Sequence, residues 1–216
     1  MEDPGYFLHR NPFPIATLHS LREAVAEIDR PDSAPGIRQI TTRSAVIREF
    51  AHSGDLRALL PSPRLSFVRG ILFDKNAAAN WPVAWHQDLT IAVEERIDVA
   101  GYAPWSTKDS VPHVQPPLGL LESMCTLRIH LDDTPESNGP LEVVPGSHRL
   151  GIIAADSIRK LSRGGLPVSC QAGDILQMSP LLLHSSKRAT EPAHRRILHF
   201  EYAPREELAH PLRWAE

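Results

Sequence analysis

Apolar residues recur with a helical period only near the start of the chain. In "LHSLREAVAEID" (18–29) they stand at positions 18, 21, 25 and 28, and this spacing predicts a helix with one buried face. "SAVIREFAHSGDLRALL" (44–60) predicts a second helix, or a pair broken near Gly54. Beyond residue 60 the reading changes. "LSFVRGILF" (65–73), "MCTLRIHL" (124–131), "LEVVPG" (141–146), "GDILQM" (173–178), "LLLHSS" (181–186) and "RRILHFEYA" (195–203) read as strands. Turn-forming stretches separate them: "DDTPESNGP", "PGSHR", "SRGGLP" and "QAGD". Asn138-Gly139 predicts a hairpin, because both residues tolerate positive φ. Helical segments followed by many short strands predict a β-barrel or double sheet with helices packed outside. Residues 94–123 interrupt the pattern, being rich in Pro and without a clear period. A stretch like this inside a compact domain is usually functional or mobile.

Composition narrows the classes. A length of 216 residues suits one sizeable domain, and 42% hydrophobic with 23% charged residues is ordinary for a globular protein. The net charge of −3 offers no basic field, so neither nucleic acid nor an anionic membrane is expected as a partner. Cys125 and Cys170 lie far apart, so no disulfide framework is indicated. "MEDPGYFLHRNPFPIA" lacks a basic stretch followed by an apolar one, and no apolar run reaches the length of a membrane span. A cytoplasmic location is the expectation. The 20 Pro sit between short elements, as in a strand-and-loop protein.

Candidate chemistry begins with three H-x-acid triplets: His86-Gln87-Asp88, His130-Leu131-Asp132 and His199-Phe200-Glu201. On a strand, residues i and i+2 share a face about 7 Å apart, so any of these pairs could approach one metal ion. Spacing alone does not choose among them. Thr126, Arg128 and His130 form a polar strand face that meets solvent or lines a wet cavity. Asp132 and Asp133 read as turn starters. His199 and Glu201 oppose Leu198, Phe200 and Tyr202, which read as core.

The order of four stretches adds a resemblance. "AWHQD", "NGPLEVVPGSHR", "AGDILQMSPLLLHSS" and "RRILHFEY" together resemble the phytanoyl-CoA dioxygenase family of iron(II)- and 2-oxoglutarate-dependent oxygenases, over about residues 65–203. The resemblance implies one domain over 1–216, mainly β. Its core would be a double-stranded β-helix (jelly roll, cupin-like) over about 65–203, with the N-terminal helices of about 15–60 packed outside. It also implies that His86, Asp88 and His184 bind Fe(II). Arg195 would hold the distal carboxylate of 2-oxoglutarate, with Ser186 and Lys75 beside it. Two imidazoles and one carboxylate take one face of an octahedron, leaving positions for 2-oxoglutarate and O2. A guanidinium suits the carboxylate because it binds as a fork, and adjacent strand residues face opposite ways, so only one of Arg195 and Arg196 can serve.

The implied reaction hydroxylates a C–H bond of a small molecule and releases succinate and CO2. Related halogenases carry Gly or Ala in place of the carboxylate. This chain keeps Asp88, which favours hydroxylation or another oxidation. "NGPLEVVPGSHR" is read as architecture. The substrate contacts expected are Arg128 and Trp85, plus Trp105, His113 and Gln115 on a lid formed by residues 94–123. Two other readings stay open: a jelly-roll module that only binds a metal or ligand, and a cupin-like metal enzyme that does not use 2-oxoglutarate.

Overall fold

In the computed structural model, residues 2–31, 33–34 and 36–216 are described. A six-stranded antiparallel sheet has the order β1 (Tyr6–His9), β11 (Ile175–Met178), β8 (Cys125–His130), β13 (Arg195–Pro204), β3 (Leu65–Lys75), β2 (Gly36–Arg38). A four-stranded sheet has the order β10 (Leu166–Val168), β9 (Leu141–Val143), β12 (His184–Ser186), β4 (Val83–His86). These two sheets face each other as a jelly roll, and one end of the space between them is filled by Leu141, Val143, Val168, Leu176 and Met178. A small third sheet joins β5 (Ile91–Ala92), β7 (Val111–Val114) and β6 (Trp105–Lys108). The helices are α1 (Ile15–Ala26), α2 (Ala45–Ala51), α3 (Gly54–Arg57), α4 (Leu118–Ser123) and α5 (Ala155–Leu161).

Strand alternation divides the large sheet into two unlike faces. Outward, Phe67, Leu72, Leu127, Ile129, Leu198, Phe200 and Tyr202 pack with Leu18, Leu21, Val25, Ile47 and Leu56 of the helices. Burying each such side chain contributes about 1.5–3 kcal/mol. The Tyr202 hydroxyl donates to the Ala51 carbonyl at 2.9 Å, tying β13 to the end of α2. Capping sets the starts of both helices: Ser44 Oγ accepts from Ile47 N–H at α2, and Ser53 Oγ accepts from Leu56 N–H at α3, just after the break. Inward, the register aligns Arg69, Glu201 and Thr126 in one row, then Ile71, His199 and Arg128, then Phe73, Ile197 and His130, and finally Lys75 beside Arg195. The interior face is therefore polar and largely cationic.

Two expectations are corrected. Asn138-Gly139 does not close a hairpin, because β8 and β9 lie in different sheets. Asn138 ends a short 3-10 turn and Gly139 (φ +59°) turns the chain across the barrel; a Cβ on Gly139 would meet the Lys187 carbonyl oxygen at 2.6 Å. Residues 94–123 are not an irregular loop. They hold β6, β7 and α4, and their Tyr102, Val114, Leu120 and Leu121 pack with Ile91, Val93 and Trp214 in a second apolar cluster. The strands are too short, and too interrupted by Pro, for their period to show in the sequence.

Candidate active site

His184 on β12 and His86 on β4 are direct cross-strand partners, and their rings lie 4.2 Å apart. The register shifts between His184 and Ser186, so the three residues His184–Ser186 of β12 oppose the four residues Val83–His86 of β4. This bulge turns His86 to the same side as Val83, into the barrel, a re-aiming that bulges commonly perform. Each imidazole is oriented by a backbone carbonyl: His86 Nδ1 donates to Ala84 O and His184 Nδ1 to Leu182 O, both at 2.8 Å. Both Nε2 lone pairs are thereby directed toward Asp88. Its carboxylate lies 3.6 Å from His86 Nε2 and 3.7 Å from His184 Nε2. Asp88 follows the strand end and is fixed by its own N–H on the Pro180 carbonyl at 2.9 Å. Gln87 points away and is bonded only to backbone, donating to Gly151 O and Leu181 O and accepting from Ile153 N–H.

The donor atoms of His86, Asp88 and His184 all lie within 4.8 Å of one another, a set that can hold a metal ion. Asp88 Oδ2 is buried without a hydrogen-bond partner, which a cation would supply. Burial alone would raise the Asp88 carboxyl, but His184, His86 and His199 outweigh it and hold the group well below the carboxylate range. Desolvation lowers His184 to about 4, so its imidazole is neutral at pH 7 and able to ligate.

Across the barrel stands a group of cations. Arg195 is buried, its Nη1 donating to the Gly139 carbonyl and to Ser186 Oγ, while its Nε has no partner. Lys75 Nζ donates to Ser186 Oγ at 2.7 Å and Lys187 O at 2.9 Å, and lies over the Trp81 ring. Desolvation, then Arg195, Arg128 and Arg188, pull Lys75 from 10.5 to about 7. No carboxylate pairs with Arg195 or Lys75 among the described residues, and buried cations in this arrangement can take an anionic group. Arg196 faces the other way, forking onto Asp132 at 2.7 and 2.8 Å. Both groups share one cavity of about 340 Å³, whose wall includes Trp81, Val83, His86, Asp88, His184, Ser186, Arg128 and Arg195.

The family profile for phytanoyl-CoA dioxygenase matches residues 1–197. The chain belongs to that family. Membership makes it a 2-oxoglutarate-dependent oxygenase that works with iron and O2. Solved structures share its fold. EctD from S. alaskensis, with 2-oxoglutarate and 5-hydroxyectoine, is similar at a TM-score of 0.70 and 19% identity, covering 93% of this chain and 73% of that one. HygX from Streptomyces hygroscopicus, with iron bound, gives 0.66 and 16% over 94% and 83%. SnoN, a non-heme alpha ketoglutarate dependent epimerase from nogalamycin biosynthesis, gives 0.67 and 18% over 93% and 78%. No curated protein sequence matches significantly.

For this dioxygenase-family chain, the structure brings His86, Asp88 and His184 together and sets Arg195, Ser186 and Lys75 in a second group. Arg128 reaches the cavity wall, where its Nη1 donates to His199 Nδ1 at 2.9 Å. The rival pairs do other work. His130 Nδ1 meets Thr134 Oγ1 at 3.0 Å, and Asp132 is taken by Arg196. His199 Nε2 donates to Glu201 Oε1 at 3.3 Å, and Glu201 pairs with Arg69. Four proposed substrate contacts are not on the cavity wall. Trp85 points out of β4, where its ring closes on Gly165. Trp105 packs on the second apolar cluster, and His113 is buried with Nδ1 on the Val111 carbonyl. Gln115 is held by backbone bonds with Ala103 and Pro104. From residues 94–123 only Lys108 lines the cavity among the described residues. Sequence reasoning passed over Arg69 and Lys108. For Arg69 a signal was present: it shares the odd-numbered face of its strand with Lys75.

Proposed function

We propose that this protein couples oxidation of a C–H bond in a small molecule to oxidative decarboxylation of 2-oxoglutarate. His86, Asp88 and His184 would hold Fe(II), which supplies the O2 chemistry when bound. The observation that carries the reading is one cavity containing a two-histidine, one-carboxylate cluster and, across from it, buried cations that lack a carboxylate. The chain's own residues then do three things. Ala84 and Leu182 carbonyls fix the ring orientation of the histidines. Arg195, with Ser186 and Lys75, would take the far carboxylate of 2-oxoglutarate and so orient the molecule. Trp81, Val83 and Phe73 line the space and limit water. In the overall balance O2 supplies one oxygen to succinate and one to the product, and CO2 leaves. Asp88 would be a metal ligand where related halogenases carry Gly or Ala, which supports hydroxylation or another oxidation over halogenation.

The test is anaerobic titration of 2-oxoglutarate into Fe(II)-loaded protein, followed by O2 and measurement of succinate. Metal-dependent 2-oxoglutarate binding that disappears in Asp88→Ala and Arg195→Met, with succinate release stimulated by a substrate, is expected. Binding of metal without 2-oxoglutarate would instead favour a cupin-like enzyme of another kind, and binding of neither a non-catalytic module.

A further inference from the structure

We propose that Arg69 and Lys108, with Arg38 at the mouth, form a second anion subsite that binds a carboxylate or phosphate group of the substrate itself. This rests on the oxygenase reading above and names the substrate class for it. The cavity wall carries Arg38, Arg69, Lys108, Arg128 and Arg195, against one wall carboxylate, Asp88. A divalent metal and dianionic 2-oxoglutarate bring equal and opposite charge, so loading both leaves that excess of cations in place. Two carboxylates outside the wall offset part of it. Glu201 pairs with Arg69 through Nη2, and Asp109 pairs with Arg38 at 2.7 Å on the exposed side. Lys108 has no carboxylate within ion-pair distance among the described residues; its Nζ donates to Thr90 Oγ1 at 3.1 Å. The Arg69 side chain is 9% exposed, and its Nε is buried without a partner. Leaving charge and donors uncompensated in a half-enclosed site is unfavourable, and an anion seated between Arg69 and Lys108 removes that cost.

Placement constrains the ligand further. Thr90 follows Asp88 by two residues, a span of at most ~7 Å between Cα atoms. The ammonium held on Thr90 is thus anchored next to the metal cluster rather than at the far end of the barrel. Arg195, by contrast, lies at the other end of the inward face of β13, three rows from Glu201 and Arg69. The two cationic groups therefore flank the metal cluster, one for the co-substrate and one for the substrate. A molecule anchored on Lys108 and Arg69 would present to the metal a carbon only a few bonds from its anionic group. A cavity of about 340 Å³ that must also hold 2-oxoglutarate admits a small acid or phosphate ester, or the acidic end of a longer molecule.

The experiment uses the full chain loaded with Fe(II) and saturating 2-oxoglutarate without O2, so that Arg195 is already occupied. The probes are propionate, methylphosphonate and, as the neutral control, propionamide, with Tm as the readout. A saturable rise in Tm with one or both anions and none with the amide is expected, and the stronger anion identifies carboxylate or phosphate as the preferred group. Lys108→Gln should weaken that response at least tenfold. Arg69→Lys, which keeps a charge beside Glu201, should weaken it less. Lys108 is chosen as the main variant because it pairs with no carboxylate and its loss strands no buried partner. No anion response in the presence of a clear 2-oxoglutarate response would overturn the proposal and leave the oxygenase reading intact. An anion response unchanged in Lys108→Gln would also overturn it. An anion response lost with Lys108, in protein that ignores 2-oxoglutarate, would support the subsite and remove the oxygenase reading.

Discussion

Replacing Lys75 by Met should make the co-substrate-free protein more stable. Lys75 is buried beside Arg195 and Arg128, and desolvation followed by those cations draws its pKa from 10.5 to about 7. At ~1.4 kcal/mol per tenfold change in proton affinity, keeping the ammonium at neutral pH costs on the order of 4 kcal/mol before relaxation. Solvent screening and local adjustment reduce this by roughly half. Met nearly preserves the side-chain volume but gives up the bond to the Lys187 carbonyl, worth about 1 kcal/mol. Ser186 stays satisfied, since its hydroxyl donates to Gly139 O at 3.1 Å and accepts from Arg195 at 3.2 Å. The net gain is about 1 kcal/mol, a Tm rise of roughly 2–4 °C for a chain of this size. Because the folded pKa lies below the unfolded one, the unfolded chain binds more protons between pH 7 and 10.5, and wild-type stability rises across that window. The advantage of Lys75→Met should therefore be full below pH 7 and fade towards pH 10.5. Adding 2-oxoglutarate should reverse the order, because wild type alone regains an anion for its ammonium. Denaturation curves at pH 6.5 and 10, with and without 2-oxoglutarate, read all of this. A variant less stable at pH 6.5, or a difference independent of pH, would refute the argument that Lys75 is held at a cost.

Three further outcomes follow from the same geometry. Asp88→Ala should lower Fe(II) affinity and turnover at least ~100-fold, read by metal titration and succinate release, because it removes the one anionic donor of the cluster. Arg195→Lys should raise the KM for 2-oxoglutarate roughly tenfold or more, since a point charge replaces a fork; Arg196→Lys should leave KM alone and lower Tm through its Asp132 pair. Gly139→Ala should destabilise by about 1–3 kcal/mol in urea melts, because φ is +59° there and the new Cβ meets the Lys187 carbonyl oxygen at 2.6 Å.

The architecture was readable where a period survives long enough to be seen. β3 and β13 span 11 and 10 residues, and their alternation already separates Leu198, Phe200 and Tyr202 from Arg195, His199 and Glu201. The metal cluster was readable through the order of the motifs, not through H-x-D spacing, which three triplets share. What escaped depends on pairing. Nothing in "VAWH" announces the bulge that turns His86 inward beside Val83 and leaves Trp85 facing out. Asn138-Gly139 carried the local chemistry of a hairpin, but its flanking strands joined different sheets. The strands in residues 94–123 are four residues long, and β7 carries Pro112, so they form because partners wait for them in β5 and the apolar cluster, not because their own pattern demands it.

The two unlike faces of the large sheet have a bearing on how such a protein can change over generations. Cohesion comes from the side that α1 and α2 cover, where the aromatic and aliphatic side chains lie. Chemistry comes from the opposite side, one residue away along each strand. A substitution at Ile71 or Phe73 alters what the cavity accepts while Phe67 and Leu72 keep the sheet bound to its helices. Drift in ligand preference thus incurs little loss of folding free energy, and the same scaffold can pass from one substrate to another without an unfolded intermediate in its history. The reverse holds for α1 and α2: shortening them would not touch a single group in the cavity, yet it would expose the face on which the sheet's cohesion depends.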